Sequence, residues 1–482
     1  MVGPPCCRVF QLRRRCMAQV VLPGAVGGAV AHSPVSADAP GLFWCWPFVL
    51  LLLAIAVVPL VPKWSHWWEF NRNKLAVSVL LALVVCAYYF LRPETPNGAS
   101  AVAGLLYHSI VADYVPFMVL LFSLYTISGG IRLSGDIPAH PVTNAGILLL
   151  GAVLANIIGT TGASMLLIRP LLQINSERRH VTHTVIFFIF LVSNIGGALL
   201  PIGDPPLFLG YLRGVPFLWT LHLSLIWAIA VVIVLAVYLA IDVIMHSKEA
   251  GRDIALDERR KVPMRLEGWF NFFLLAAVVL AVAVLVPGQP LPGTSCIVPD
   301  LYLRELILLA LAGLSYFRTP RTVHLDNEFH FAPISEVACL FLGIFVTLQV
   351  PVEILRANGA ALGMESPMQF FWATGLLSGF LDNAPTYVVF FELAGTLPAN
   401  GGEMLKGVAT ATGQIPARTL LAISAGAVFM GACTYIGNGP NFLVKSIAER
   451  RGVAMPSFFG YMGYSAVVLI PVFVLLSVLF FK

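Results

Sequence analysis

Charged residues are scarce in this chain of 482 residues. Asp, Glu, Lys and Arg make up 11% of it, whereas soluble domains carry about 25%. Hydrophobic residues make up 58%. So few charges cannot cover a water-soluble protein of this size, which excludes a soluble enzyme. Long apolar segments recur along nearly the whole length, which predicts a polytopic membrane protein with little chain outside the lipid.

Motifs typical of other protein classes are also missing. The eight cysteines form no C-x-x-C pair, and the chain has no G-x-S-x-G, H-E-x-x-H or Walker sequence. The net charge of +5 comes from basic residues in short turns between apolar segments, where orientation signals of membrane proteins lie. We therefore expect no enzymatic activity, no cofactor and no nucleic-acid partner; the expected surroundings are membrane lipid.

The apolar segments predict an all-α fold with about ten transmembrane helices and two re-entrant hairpins. Two regions, 144–175 and 367–397, are interrupted near the middle by polar and helix-breaking residues. Each half is too short to cross roughly 30 Å of hydrocarbon, which favours hairpins. The spanning helices are predicted over 42–62, 75–92, 113–131, 183–199, 216–245, 268–287, 301–317, 335–351, 418–436 and 457–481.

The first residues have features of a secretory signal peptide. Arg13, Arg14 and Arg15 precede an apolar run from Met17 to Val30, which ends in an A-x-A-like sequence. We predict a cleaved signal over 1–31, with a cytoplasmic tail as the alternative. Basic loops mark the cytoplasmic side of an inner membrane and place the mature N-terminus outside. These loops lie at 63–74, 246–267, 318–321 and 450–451.

An internal repeat links the two halves of the chain. A shift of 234 residues places 197–209 on 431–443 with seven identities in thirteen positions, and Asp204 then faces Asn438. Because the charge pattern gives the halves opposite senses, we predict an inverted repeat. Its first copy is 113–245, with hairpin 144–175 and broken helix 183–213. Its second copy is 335–481, with hairpin 367–397 and broken helix 418–449. The predicted scaffold comprises 42–92 and 268–317, and 246–267 is a cytoplasmic loop.

The broken helices supply the first candidate site residues. Glycine permits unusual dihedral angles and proline lacks an N–H donor, so carbonyls at the breaks need other partners. The predicted unwound positions are Gly203, Pro205, Pro206, Gly437, Gly439 and Pro440. An ionised Asp near the bilayer centre costs about 2.5 to 3.5 kcal/mol. We therefore expect Asp204 to bind a cation or face a wet cavity; helix capping is the alternative.

The hairpin tips supply the remaining candidates. Asp382, Asn383 and Thr386 offer a carboxylate, an amide oxygen and a hydroxyl, the ligands that hard cations prefer. We predict Asp204 and Asp382 as sodium ligands, although Asp382 could instead cap a helix. Other polar residues could bind an ion or an anionic substrate, or could only join helices. They are Thr160, Thr161, Ser164, Ser193, Asn194, Asn438 and Asn441.

Three further acidic residues lie within or beside apolar segments. Asp242 and Glu336 are near predicted helix ends, where long or polar side chains can reach water. Glu392 lies deeper, inside the second predicted hairpin.

The motifs resemble those of a known superfamily. Ser193–Gly197, then Pro201–Asp204 and, in the second half, Asp382–Pro385 are similar to segments of D-type sodium/proton antiporters and their citrate-transporter-like relatives. The resemblance spans 42–481 and implies a scaffold domain, a transport domain, an elevator-like movement and often a homodimer. It also implies cation handling by Asp204 and Asp382. Residues 437–441 are similar to Pro-Asn segments of dicarboxylate carriers.

Two transport functions follow from these residues. The first is sodium/proton antiport by alternating access, because one Asp that binds either ion but not both would couple the two fluxes. The alternative is symport of citrate or another carboxylate with Na⁺ or H⁺. A passive channel or a membrane enzyme fits the paired helix breaks less well.

Overall fold

The computed structural model describes residues 39–93, 97–259, 261–299, 302–397 and 407–482, so the predicted signal peptide lies outside the described residues. The described chain is mainly helical. Its α-helices are α1 (Trp46–Val57), α2 (Pro62–Trp68), α3 (Asn71–Leu91), α4 (Gly98–Leu106), α5 (Val115–Gly129), α6 (Pro141–Ile174), α7 (Thr182–Leu191), α8 (Pro205–Leu212), α9 (Ser224–His246), α10 (Gly251–Arg259), α11 (Phe270–Val284), α12 (Leu303–Arg318), α13 (Arg321–Asp326), α14 (Ala332–Thr347), α15 (Gln349–Asn358), α16 (Pro367–Phe380), α17 (Asn383–Gly395), α18 (Ala417–Met430), α19 (Gly439–Arg450) and α20 (Phe458–Phe480).

Several of these helices can cross a membrane. In the described parts of the chain, six helical segments are long and apolar enough to span, and four shorter ones are apolar. This agrees with a polytopic membrane protein. The number of spans stays a prediction, because the long helix α6 is one of the six and folds back on itself.

The reversal of α6 lies at Gly159, whose φ of 76° and ψ of 154° interrupt the helix. The two ends of α6 meet, since the side-chain amides of Asn144 and Asn175 donate to each other at 2.9 Å. Between the ends, the side chain of Leu167 lies against Gly151. A positive φ suits glycine because it has no Cβ. The region 144–175 therefore reverses direction at Gly159, and its re-entrant position in the membrane stays a prediction.

The helices α16 and α17 form the second hairpin. They are joined by Leu381 and Asp382, and the rings of Phe370 and Phe390 meet across the pair with centroids 6.5 Å apart. A capping box begins α16, in which the Ser366 side chain accepts from the Gln369 N–H. This region corresponds to the predicted hairpin 367–397.

The helix around residue 113 is longer than predicted. It runs over 98–129, where α4 and α5 are joined by a π-helical segment, Tyr107–Tyr114. Pro116 lacks the N–H that an α-helix would need at that position, and a π-helical turn accommodates the missing bond. Polar residues such as His108 and Ser109 lower the hydropathy of the part before residue 113, which explains the late predicted start.

The cytoplasmic loop predicted over 246–267 contains regular structure. It includes α10 and the strand β2 (Val262–Glu267), which pairs antiparallel with β1 (Arg132–Asp136). A second ribbon joins β3 (Val408–Thr410) to β4 (Gly413–Ile415). The described part of the chain is therefore helical with two small ribbons, rather than purely α.

Both predicted broken helices are interrupted. The first is α7, a 3₁₀ turn at Ile195–Ala198, and α8; the second is α18, a 3₁₀ turn at Gly431–Cys433, and α19. Glycine lets α18 approach α16 closely, because a Cβ on Gly426 would lie 2.6 Å from the Phe371 carbonyl oxygen. This packing brings the second hairpin against the second break.

Candidate functional site

The carboxylate of Asp204 lies where both hairpins and both broken helices meet. Its Oδ1 accepts from the Thr160 hydroxyl at 2.8 Å and from the Asn438 amide at 3.0 Å. Its Oδ2 accepts from the Asn383 amide at 2.6 Å. Asp204 is 1% exposed, and all three donors are neutral. We call Asp204, Thr160, Asn383 and Asn438 the Asp204 cluster.

The two helix breaks have nearly the same backbone. Asp204 has φ −142° and ψ 142° before Pro205, and Asn438 has φ −153° and ψ 141° before Gly439 and Pro440. Proline in the first helical turn needs no N–H partner, so each helix begins directly after the polar residue. Asp204 does not cap its own helix through its side chain. Its carboxylate is left to accept from the other elements.

Glycine backbones close each break. A Cβ on Gly437 would lie 2.5 Å from the Gly431 carbonyl oxygen, and Gly203 and Gly197 contact each other in the same way. The first hairpin is also fixed to its break, because the Thr160 N–H donates to the Gly203 carbonyl at 2.8 Å. These contacts place the hairpin tip beside Asp204.

Two asparagines join the halves behind the Asp204 cluster. The Asn194 amide donates to Asn441 Oδ1 at 2.7 Å, and the Asn441 amide donates to the carbonyls of Gly431 and Thr434, each at 2.9 Å. The Asn438 amide also donates to the Ser193 carbonyl at 3.1 Å. A further side-chain bond, 2.8 Å long, joins the hydroxyls of Ser193 and Ser164.

Two buried amide oxygens near Asp204 have no hydrogen-bond partner, namely Oδ1 of Asn194 and Oδ1 of Asn383. Both amides lie beside Gly431, since a Cβ there would be 3.0 Å from Asn194 Oδ1 and 3.6 Å from Asn383 Nδ2. The Gly437 carbonyl oxygen is 3.2 Å from the same point. Buried polar atoms are normally bonded. Oxygens of this kind next to a carboxylate are suitable ligands for a hard cation.

Three predicted site residues lie at the edge of this arrangement. Asp382 is partly exposed, and its carboxylate accepts from the Ala384 N–H at 3.2 Å, so it caps α17. The Thr386 hydroxyl donates to the Asp382 carbonyl at 3.0 Å. Thr161 is partly exposed next to Thr160. The central position therefore belongs to Asp204, and a sodium-binding role for Asp382 stays a prediction.

Comparison with known proteins identifies the group to which the protein belongs. A family described as "Putative citrate transport" matches residues 37–481. The chain belongs to this citrate-transport family. Two curated relatives are an uncharacterized transporter of Mycobacterium bovis and one of Mycobacterium tuberculosis. Each is 26% identical to the chain over 331 residues, which cover 67% of this chain and 72% of the relative.

Membership in the citrate-transport family, with the apolar helices, shows a multi-pass membrane transporter. The match agrees with the citrate-transporter-like part of the resemblance. The assignment to D-type sodium/proton antiporters stays a prediction.

A network of ion pairs joins the second hairpin to other helices of the transporter. The sequence did not predict this network. Glu392, on α17, is 2% exposed and accepts from Arg213 at 3.3 Å and from Arg356 at 3.0 Å. Arg213 also pairs with Asp113 at 3.0 Å. The sequence showed that Glu392 lies inside an apolar segment, but it could not identify Arg213 and Arg356 as partners because they are distant along the chain. An acidic residue inside an apolar hairpin was the available signal, because such a charge needs a cation.

The expectation that Asp242 reaches water is wrong. Asp242 is fully buried and pairs with Arg178, while His183 Nε2 lies 2.8 Å from its Oδ1 and the Tyr238 hydroxyl donates to its Oδ2 at 3.0 Å. A charge at a helix end can be buried when a guanidinium and further donors satisfy it. This network fixes the open end of the first hairpin. In contrast, Glu336 is partly exposed and pairs with Lys74 at 2.6 Å.

Glu249 extends the Asp242 network outside the helices. Burial disfavours its charged form, but the backbone N–H groups of His180 and Arg179 donate to it at 2.9 and 3.1 Å. Together with the His180 side chain, these bonds outweigh burial and lower the pKa of Glu249 below its usual value.

Proposed function

We propose that this protein is a secondary transporter that couples the movement of an organic carboxylate, with citrate as the first candidate, to Na⁺ or H⁺. Asp204 is the proposed ligand of the coupling ion. The observation that carries this proposal is a carboxylate 1% exposed whose three hydrogen-bond partners are neutral.

The chemistry of the Asp204 cluster suits a cation that binds and leaves. A fixed Arg or Lys partner would hold the carboxylate permanently ionised and occupied, whereas hydroxyl and amide donors leave its charge available. The unpartnered oxygens of Asn194 and Asn383 add neutral ligands. Because a proton and Na⁺ compete for the same carboxylate, its occupancy follows both gradients.

Helix N-termini support a carboxylate substrate. The helices α8, α17 and α19 and the second half of α6 all begin at the residues of the Asp204 cluster. Each N-terminus carries a partial positive charge and free N–H groups, which favour anions. The name of the family supports the same substrate class. Thr161, which is partly exposed beside Thr160, supplies a hydroxyl at the tip of the first hairpin.

Alternating access is the proposed mode of movement. Asp204 and Asn438 occupy equivalent positions of the 234-residue repeat and are hydrogen-bonded to each other. Such a contact is expected near the two-fold axis of an inverted repeat. We infer that the hairpins and broken helices move as one unit against the other helices. An elevator-like movement, a homodimer and an inner-membrane location with the mature N-terminus outside belong to the same proposal.

Sodium/proton antiport is the second candidate function. It is favoured by the neutral surroundings of Asp204, because they include no permanent cation to pair with a substrate carboxylate. In this case the same carboxylate would exchange H⁺ for Na⁺ without an organic substrate.

Transport by the purified full chain in proteoliposomes tests both functions. Uptake of labelled citrate is measured with an inward Na⁺ gradient, with an inward H⁺ gradient and with neither, and a trapped pH dye reports Na⁺-driven proton movement. Citrate accumulation that needs one gradient and disappears in Asp204→Asn supports the proposal. Na⁺-driven proton movement without citrate uptake supports the second candidate. Citrate uptake that is the same with and without either gradient contradicts both proposed functions.

A further inference from the structure

A polar cleft of about 300 Å³ lies away from the Asp204 cluster, between the β1–β2 ribbon, the end of the first hairpin and α13. Side chains with charged or hydrogen-bonding groups contribute much of its lining. They include Arg132, Ser134, Arg169, Gln173, Asn327 and Arg451. The space is large enough for several water molecules or one small polyatomic anion.

Arg169 is the unusual residue of this cleft. Its Nε and Nη1 atoms are buried without a hydrogen-bond partner. Its Nη2 has only a 3.5 Å contact with Glu328, whose side chain is 53% exposed. The Arg169 side chain itself is 12% exposed. Buried guanidinium donors are normally satisfied, because leaving a charged group unpaired is costly. Because Nε and Nη1 are enclosed by protein, a ligand in the cleft can reach the guanidinium only through Nη2, whose contact with Glu328 is long.

The remaining charges of the cleft leave a place for an anion. Arg132 is already paired, with Asp326 at 2.7 Å and with Glu267 at 3.3 Å. Arg451 also lines the cleft. It is close enough to Arg169 for the two positive charges to repel each other. Asp136, the last residue of β1, adds a negative charge to the lining of the cleft. Two arginines that approach one space favour a ligand with several oxygens, because guanidinium groups match carboxylate and phosphate geometry.

We propose that this cleft binds an oxyanion, a phosphate or carboxylate group, through Arg169 and Arg451. The site is separate from the proposed transport site. Arg169 lies nine residues after Thr160 on one helix, which is about 14 Å along its axis at 1.5 Å per residue. Free phosphate, a polycarboxylate and the phosphate of an anionic lipid share the required chemistry.

Equilibrium dialysis with labelled inorganic phosphate, on the full chain in nanodiscs of neutral lipid, tests the site. We expect saturable binding in the wild type and at least a tenfold weaker affinity in Arg169→Gln. Arg259→Gln is the matched control, because Arg259 is an exposed arginine of α10 and should leave binding unchanged. Asp204→Asn should also bind phosphate normally, so failure of the transport proposal would not affect this result.

Two further arms identify the source of the oxyanion. Citrate that displaces phosphate in the wild type indicates a polycarboxylate ligand. Weakened phosphate binding in nanodiscs with phosphatidylglycerol, but not in neutral ones, indicates a lipid headgroup. If Arg169→Gln does not fold, Arg451→Gln replaces it, with the same expected loss. Absence of saturable phosphate and citrate binding, or unchanged binding in a folded arginine variant, would overturn the proposal.

Discussion

Replacement of Asp204 by Asn is the sharpest test of the proposed coupling site. The change removes one charge while it keeps the shape of the side chain. Oδ1 can still accept from Thr160 and Asn438. The new amide would face the Asn383 amide, but rotation of the Asn383 amide group would present its unpartnered Oδ1 as an acceptor. All three contacts can therefore survive in neutral form.

The expected effect on stability is small. Three hydrogen bonds to a charged group become neutral, and each loses about 1 to 1.5 kcal/mol, or roughly 3 to 4.5 kcal/mol together. In return, the variant avoids the cost of an ionised Asp in the membrane, about 2.5 to 3.5 kcal/mol. The two terms nearly cancel, so we expect a folded protein whose thermal stability without Na⁺ is close to that of the wild type.

The expected effect on ion binding is large. Two unit charges about 4 Å apart attract by about 4 kcal/mol at an effective dielectric constant of 20, which corresponds to roughly a thousandfold in affinity. If the coupling ion is Na⁺, the Na⁺ concentration that stabilises the purified protein against heat should rise at least tenfold in Asp204→Asn. Gradient-driven uptake in proteoliposomes should disappear.

The matched control is Asp253→Asn, which removes a carboxylate from α10 that pairs with Arg179 at 3.3 Å. This variant should retain uptake. Gradient-driven uptake by Asp204→Asn at the wild-type rate, with an unchanged ion affinity, would refute the assignment of Asp204 as the coupling residue.

Three further predictions concern the surroundings of the site. Gly203→Ala should destabilise the protein by about 1 to 3 kcal/mol, because its Cβ would overlap the Gly197 carbonyl; a thermal midpoint within error of the wild type would contradict this packing. Glu392→Gln should destabilise by about 1 to 3 kcal/mol, because it removes one of the two carboxylates that pair with the buried Arg213 and leaves Asp113 as the other; an unchanged thermal midpoint would contradict this role of Glu392. Glu249 has a lowered pKa in the folded state, so its contribution to stability is present above pH of about 4.5 and is lost as the pH falls through the folded value. Glu249→Gln should flatten the pH dependence of thermal unfolding as the pH falls below about 4.5, and an unchanged slope there would contradict this linkage.

Local sequence patterns predicted much of the fold. Apolar segments bounded by charges gave the positions of most helices, because lipid requires long apolar helices with satisfied backbones. Glycine and proline residues predicted the positions of the helix breaks near Asp204 and Asn438, since these residues limit where a helix can continue. The helix that begins at Gly98 was predicted too short, because a hydropathy pattern does not register a π-helical segment that carries polar side chains.

The candidate site was predicted less completely. The sequence identified Asp204, Asn383 and Asn438 from the local chemistry of each break and hairpin tip. It favoured the hairpin tip at Asp382 as the strongest single site and named Asp204 beside it as a second sodium ligand, because both carboxylates lie at helix breaks that contain proline. Only the packed structure separates them, since Asp382 caps its own helix whereas Asp204 accepts from three other elements.

The sequence by itself determined the membrane class, the helix breaks and the kinds of side chain placed at them, because these depend on residue composition and on neighbours along the chain. Tertiary structure decided which side chains meet. The pairing of Glu392 with Arg213, the burial of Asp242 and the incomplete donor set of Arg169 join residues that are far apart in sequence. Their energies depend on distances and burial that no local pattern encodes, since a charge is costly or favourable only according to the partners that packing gives it.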